Sequence, residues 1–121
     1  MRPIKLASRA SKLALAQSNY IRDLLKNLYP DLHISIMEVS TKGDRDKSDF
    51  LYKSESVGFF TSEVENALLE CKADLAVHSL KDLPTAIRQG LIVAAIPKRE
   101  SVADALVAAS KVSSISDLVG G

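Results

Sequence analysis

The sequence predicts an α/β protein with a mixed sheet and flanking helices. Strand-like and helix-like patterns alternate along the first 90 residues, which is typical of strands joined by helical crossovers. A final apolar run, 91–96, follows a strand-like run with no helical pattern between them, so the sheet is expected to contain strands of both directions. The composition agrees, because 46% hydrophobic and 26% charged residues in 121 indicate one soluble globular unit.

A strand, a helix and a second strand are predicted first. Residues 4–8 form a short apolar strand, and Ser11 is positioned to cap the helix that follows it. Pro30 and Asp31 end that helix, and residues 32–40 then alternate in the way of a strand with at least one buried face. The helix has apolar residues at intervals of three and four, which predict its buried face: Leu13, Ala16, Tyr20, Leu24 and Leu28.

The stretch 41–58 is polar, charged and aperiodic, and it is longer than most connections in compact domains. Two interpretations are open: a solvated, disordered loop, or a lid or binding loop. In either case residues 42–57 are expected to be the most mobile internal segment.

Regular structure is predicted again after this loop. Ser62 and Glu65 have the spacing of a capping box, and Val64, Leu68 and Cys71 can share one helix face. A strand follows at 73–79. The unbroken apolar run 91–96 is typical of a strand covered on both faces. A further strand at 104–109 and a short capped helix at 114–121 complete the predicted elements.

Charge and cysteine content exclude several classes of function. A net charge of +1 leaves no electrostatic footprint for nucleic acid or an acidic membrane, and no apolar run is long enough to span one. The single cysteine, Cys71, excludes an internal disulfide and a cysteine-rich zinc site, and His33 and His78 lie on different strands, so no metal is expected. The residues before Asp23 are basic, like a transit peptide, but they run directly into a strand-and-helix pattern. A cytoplasmic location is therefore expected.

Polar groups follow three of the predicted strands at their carboxyl ends, where α/β sheets bind ligands. Arg9 and Ser11 follow the first strand, 41–44 the second, and 78–82 the third. A helix start with an arginine beside it favours an anion such as a carboxylate or phosphate. An ammonium next to a carboxylate at the end of a buried strand, as in Lys81 and Asp82, can stabilise a developing cation or transfer a proton.

Each of these groups also has a purely structural explanation. Ser11 can be a simple helix cap beside a surface arginine, and Asp82 can cap the turn before Pro84. A histidine at a strand end, such as His78, is more often a hydrogen-bonded structural residue than a catalyst. The sequence patterns alone leave these alternatives open.

Four stretches taken together resemble the N-terminal part of the porphobilinogen deaminase family, also called hydroxymethylbilane synthases: "LASRASKLALAQ", "STKGD", "GFFTSEVENALLECKADLAVHSLKDLP" and "QGLIVAAIPKRESVADALV". Within them "AVHSLKDLP" is close to a family signature. The resemblance runs in order over almost the whole chain, from about residue 4 to 121.

This resemblance implies an enzyme of tetrapyrrole (haem) biosynthesis that joins four porphobilinogen molecules head to tail with loss of ammonia. The product grows on a covalently held dipyrromethane cofactor. Asp82 matches the family's catalytic aspartate, which contacts pyrrole nitrogens and stabilises the cationic azafulvene formed when ammonia leaves. Positions that bind the cofactor, or the acetate and propionate groups of the substrate, are matched by Arg9, Ser11, Ser79 and Lys81. Phe60 matches an aromatic residue near the substrate pyrrole, and Asp44 and Lys53 fall in the loop that covers the cleft.

Two substitutions depart from the family pattern. Val57 stands where the family usually has a loop lysine before the phenylalanine, so any anion contact of that lysine is lost or supplied elsewhere. Lys12 stands where a small apolar residue usually follows the first-helix serine, which adds a charge near the same site.

The length departs as well. The resemblance implies a lobe like those of periplasmic binding proteins (type II), truncated here: 1–97 most of the first domain, and 98–121 a linker and the first elements of a second. The cofactor's attachment cysteine is expected in a third domain, and Cys71 does not match it; a small, partly buried helix-end residue is its expected role. The isolated chain is therefore expected to hold no covalent cofactor, to be inactive alone and to self-associate, whereas the full enzyme is expected to be a monomer. The alternative function is a stand-alone anion-binding or interaction module on the same lobe.

Overall fold

The computed structural model describes residues 2–41, 60–103, 105 and 107 of the chain. They form three strands, two α-helices and one 3-10 turn, in chain order β1 (Ile4–Arg9), α1 (Lys12–Leu28), β2 (Ile34–Val39), α2 (Ser62–Leu69), β3 (Leu75–Ala76) and a 3-10 turn at Leu80–Asp82. The α/β class predicted from the alternating patterns is confirmed. Neither helix of the described part is long and apolar enough to cross a membrane.

The three strands form a parallel sheet in the order β2-β1-β3. β1 pairs with β2 along its whole length, from Ile4 opposite Ile34 to Arg9 opposite Val39, and with β3 at only two positions, Leu6 and Ala7. The first strand in the chain is thus the central one, because the chain passes to one side of it for β2 and to the other for β3. Within the described residues all pairing is parallel, so the mixed direction expected from a fourth strand is not found.

The side chains of β1 alternate between two apolar clusters, one on each face of the sheet. Leu6 packs with Leu32 and Ile34, and the α1 residues Ile21 and Leu25 cover this cluster. Ala7 packs on the opposite face with Val64 of α2 and with Ala73. The two helices therefore lie on opposite faces of the sheet, and β1 is buried between them.

The face of α1 that the apolar spacing predicted as buried is the exposed one. Leu13, Tyr20 and Leu28 have relative exposures of 60, 50 and 64%. The face turned to the sheet carries instead the small residues Ala14 and Ser18, followed by Ile21 and Leu25. Small side chains let the helix lie close to β1, so closeness of approach and not total hydrophobicity decides which face is buried.

The predicted strand at 91–96 is wrong. Residues 91–96 have no strand pairing, and Ile92 and Ile96 are 84 and 76% exposed. An apolar run indicates a preference for burial, but a strand also needs a neighbouring strand to form hydrogen bonds with. No described strand pairs with residues 91–96. The strand and helix predicted for 104–109 and 114–121 fall almost entirely outside the described residues, as does the loop 42–57.

Both ends of α2 differ from the prediction. Its N-cap is Thr61, whose side chain makes no capping hydrogen bond, and Ser62 is already helical, so the predicted capping box from Ser62 is wrong. At the other end Cys71 is exposed, not partly buried, because it lies beyond the helix with a left-handed φ of 56°. The Cys71 N–H donates to Leu68 O and the Lys72 N–H donates to Ala67 O, which is the hydrogen-bond pattern of a Schellman C-cap.

Candidate functional site

The candidate site lies at the carboxyl ends of β1 and β3, which are neighbours in the sheet. Between them the strand order reverses direction, and such a switch point leaves a crevice where open α/β sheets bind their ligands. Arg9 ends β1, and His78 to Asp82 follow β3. Two of the three polar segments predicted to converge are therefore brought together. Of the third segment only Thr41 is described, and it is fully buried.

Arg9 is aimed into this crevice by the alternation of β1. It lies on the same face as Ala7, the face covered by α2, and its guanidinium carbon lies 4.3 Å from the centre of the Phe60 ring. Phe60 directly precedes the N-cap of α2, so the start of α2 supplies the aromatic surface beneath the cation. An arginine stacked in this way is held in one orientation, with its guanidinium lining the crevice.

Asp82 faces Arg9 across the crevice. Its Oδ2 lies 3.7 Å from Arg9 Nη1, and the two side chains are only 19 and 15% exposed. This separation is too long for a hydrogen bond and makes the contact a charge pair. Within the described part of the chain no backbone N–H donates to this carboxylate, so the turn-capping explanation of Asp82 has no support. The turn is held instead by its backbone, since the Asp82 N–H donates to Ser79 O.

The remaining predicted residues of this edge surround the pair. Ser11 is the N-cap of α1, as predicted, and the Ala14 N–H donates to its Oγ at 3.3 Å. The Ser11 hydroxyl proton is not used in that contact and can be donated to a ligand. Ser79 precedes the 3-10 turn, and Lys81 lies on the turn with an exposed side chain.

His78 also lines the crevice, and its burial there favours the neutral imidazole. Burial lowers the pKa of His78 below its usual range, while the nearby carboxylates of Glu65 and Asp82 act in the opposite direction. A neutral imidazole adds no charge to the crevice. The fixed charges there are therefore the cations of Arg9 and Lys81 and the carboxylate of Asp82.

Sequence reasoning missed several residues that line this crevice: Leu13, Ala14, Gln17 and Val77. Leu13, Ala14 and Gln17 lie in the first two turns of α1, and Val77 directly follows β3. Because α1 starts at the crevice, positions three and six residues after Ser11 fall beside it, and this spacing could have identified Gln17. Asp44 and Lys53 lie outside the described residues. The described residues contain no group of three or more potential metal ligands.

The arrangement is suited to an organic anion that also carries an N–H group. Two cations and two hydroxyls can bind carboxylates, and a carboxylate between them can accept hydrogen bonds from N–H groups or face a positive charge. The described residues of the crevice thus supply groups for binding and for electrostatic stabilisation.

Comparisons with known proteins place the chain in one family. Residues 4–121 match the family model described as "Porphobilinogen deaminase, dipyromethane cofactor binding domain". The chain is 46% identical over 121 residues to the porphobilinogen deaminase of Maridesulfovibrio salexigens, an alignment that covers 100% of this chain and 39% of the relative. It is 48% identical over 120 residues to that of Listeria welshimeri, covering 99% of this chain and 38% of the relative.

A third relative gives the same result at a shorter coverage. The porphobilinogen deaminase of Gloeobacter violaceus is 47% identical over 106 residues, which are 88% of this chain and 32% of that protein. The chain thus spans about two fifths of the length of the curated relatives it matches. Since the family model covers nearly every residue, the chain belongs to the porphobilinogen deaminase family.

Proposed function

We propose that this chain forms one wall of the active-site cleft of a hydroxymethylbilane synthase. The enzyme would join four porphobilinogen molecules head to tail with release of ammonia, in tetrapyrrole (haem) biosynthesis. The single observation that carries the proposal is the meeting of Arg9 and Asp82 at the β1–β3 crevice, two residues 73 positions apart in the sequence. Family membership supports the proposed reaction, and this geometry supports the proposed roles.

Arg9 binds a carboxylate of the substrate in this proposal. Its guanidinium is fixed between the Phe60 ring and Asp82, so a bidentate contact would require little further ordering. Lys81, Ser11 and Ser79 surround the same space and would hold the second carboxylate of a pyrrole that carries both an acetate and a propionate. Phe60 takes part through the arginine that it supports, in addition to any contact with the pyrrole ring.

Asp82 is the proposed catalytic residue. Loss of ammonia from an aminomethylpyrrole leaves positive charge on the pyrrole, and an ionised carboxylate in a partly dry crevice stabilises that charge as it develops. Arg9 supports this role, because its guanidinium at 3.7 Å holds the carboxylate in the crevice by charge attraction. Asp82 can also accept a hydrogen bond from the pyrrole N–H.

The dipyrromethane cofactor fits the chemistry of the same residues. Its pyrroles present carboxylates and N–H groups, and the crevice presents cations and hydroxyls for the former and Asp82 for the latter. When bound, the cofactor supplies the end on which the chain of pyrroles grows. Cys71 does not anchor it in this proposal. This exposed residue precedes β3 and so lies near the amino-terminal ends of the strands, whereas the crevice lies at their carboxyl ends.

The remainder of the cleft would come from the three fifths of the relatives' length that this chain does not span. We place 1–97 in a first domain resembling a lobe of a type II periplasmic binding protein, and 98–121 in the connection to a second. Asp44 and Lys53 would belong to the loop that covers the cleft. The full enzyme would be a cytoplasmic monomer.

Turnover tests the proposal directly. The complete gene product, meaning the protein that the whole reading frame encodes, should convert porphobilinogen to hydroxymethylbilane, and Arg9→Leu should raise KM strongly without unfolding it. The isolated 121 residues should show no turnover. A complete product with the mass of this chain alone and no turnover would refute the enzyme and favour the stand-alone anion-binding module.

A further inference from the structure

Two fully buried serine hydroxyls connect α1 to β1 directly behind the candidate site. Ser18 Oγ donates to Ser8 Oγ at 2.8 Å, and Ser8 Oγ in turn donates to the backbone carbonyl oxygen of Arg9 at 2.9 Å. Neither serine has any solvent exposure. The two hydrogen bonds therefore run from the middle of a helix to the main chain of the arginine that faces Asp82.

The alternation of β1 explains how a contact on one face of the sheet acts on a residue of the other. Ser8 shares the face of Leu6, which packs against α1, whereas Arg9 points to the α2 face and to Phe60. The Arg9 carbonyl belongs to the main chain and so is fixed from the α1 face. Ser11 fixes the other side of the short β1–α1 connection through its cap of α1.

A purely structural role does not account for this choice of residues. A serine inside a helix ordinarily donates to the carbonyl four residues before it, yet Ser18 donates across to the strand. Two alanines of nearly the same shape would fill this space. They remove both partners of the Ser18–Ser8 hydrogen bond, which is close to neutral for stability, while the Arg9 carbonyl oxygen loses one donor. What the serines add over alanines is a fixed position for the Arg9 main chain.

We propose that Ser8 and Ser18 are positioning residues that hold Arg9 at the geometry needed to bind a substrate carboxylate and face Asp82. This inference rests on the proposed function for its effect on catalysis, but its structural content, the orientation of Arg9, is independent of it. The hydroxyls touch no substrate. They act only through the end of β1.

The double variant Ser8→Ala/Ser18→Ala of the complete gene product tests the proposal. We expect Tm to stay close to that of the wild type, while kcat/KM for porphobilinogen falls about fivefold, the typical worth of one hydrogen bond, mainly through KM. In an Arg9→Lys background the same double change should cost less than about twofold, because the side chain being positioned has gone. Ser35→Ala, at an exposed β2 serine, is the matched control and should retain wild-type kinetics.

A spectroscopic measurement separates this proposal from the proposed function. The Arg9 side-chain NMR resonances should be displaced by the Phe60 ring current, and in the double variant they should move toward their positions in Phe60→Leu. Unchanged resonances, unchanged kinetics, or an equal loss in the Arg9→Lys background would overturn the positioning role. A wild type without turnover would overturn the proposed function alone, since the resonances still decide this inference. If the double variant does not fold, Ser18→Ala alone is compared with the wild type in the same way, with and without Arg9→Lys.

Discussion

Replacing Asp82 by asparagine in the complete gene product removes one negative charge and almost no volume. At the 3.7 Å that separates Asp82 Oδ2 from Arg9 Nη1, two unit charges interact by about 4 kcal/mol at an effective dielectric constant of ~20. In the resting protein most of this energy is offset by the cost of removing both charges from water, and the contact is too long for a hydrogen bond. Because both side chains keep some exposure, water can solvate Arg9 once the charge is removed, and the stability lost should be about 1 kcal/mol.

The transition state differs, because the carboxylate is already desolvated and in place when the pyrrole becomes positive. If that charge develops at a similar distance, little of the interaction is offset, and its loss should lower kcat on the order of a thousandfold. Asp82→Asn should thus lose turnover with a Tm within about 3 °C of the wild type. Steady-state kinetics with porphobilinogen and a thermal melt measure both quantities.

Asp74→Asn is the matched control. Asp74 also pairs with an arginine, Arg2, and accepts the Lys5 N–H at 2.8 Å, but it precedes β3 and lies at the opposite edge of the sheet. It should lower Tm and leave kcat unchanged. The reasoning fails if Asp82→Asn melts several degrees lower yet turns over normally, or if both variants lose the same activity.

Three further changes test the fold around the site. Cys71→Gly should raise the free energy of unfolding by about 0.5–1 kcal/mol, because glycine adopts the left-handed C-cap conformation without strain. A lower free energy of unfolding in urea denaturation would contradict this. Thr61→Val should leave the free energy of unfolding unchanged or raise it by about 1 kcal/mol, since the buried hydroxyl has no hydrogen-bond partner among the described residues and does not cap α2. If Thr61 were a true cap, the variant would be less stable. Because the pKa of His78 is lowered in the folded chain, the unfolded chain takes up a proton near pH 6.5 more readily than the folded chain does, and the free energy of unfolding should fall as the pH drops below 6.5. His78→Gln should reduce this pH dependence between pH 7.5 and 5.5. An identical dependence in the variant would show that His78 is not responsible.

The helix α1 shows where sequence periodicity reaches its limit. It carries apolar residues on two faces. The intervals of three and four predict that the face with Leu13, Tyr20 and Leu28 is the buried one. The face that packs on the sheet is less hydrophobic, because it includes Ala14 and Ser18, whose small size allows close approach to β1. Periodicity can show that a helix is present, but the partner surface determines which face it buries.

The site was more predictable than the packing. Polar residues follow both β1 and β3 at their carboxyl ends. This was enough to predict that Arg9 and Asp82 come close together, because neighbouring parallel strands have their carboxyl ends at the same side of the sheet. The stacking of Arg9 on Phe60 could not be predicted, since it depends on where α2 begins relative to the sheet. The exposure of 91–96 could not be predicted either, because its apolar composition shows a preference for burial without showing which neighbour provides it.

The central position of β1 has a consequence for the synthesis of the protein. This strand is made before either neighbour. Asp74, which accepts the Lys5 N–H at the start of β1 and directly precedes β3, comes 69 positions after Lys5 in the chain. At translation rates of about 5–20 residues per second, the strand remains without its second partner for roughly 3 to 14 s. During that interval the edge of β1 that later pairs with β3 is available to other chains, and Arg9 has no crevice to face. Slow codons before β3 would lengthen this vulnerable period, whereas slow codons after the 3-10 turn would not.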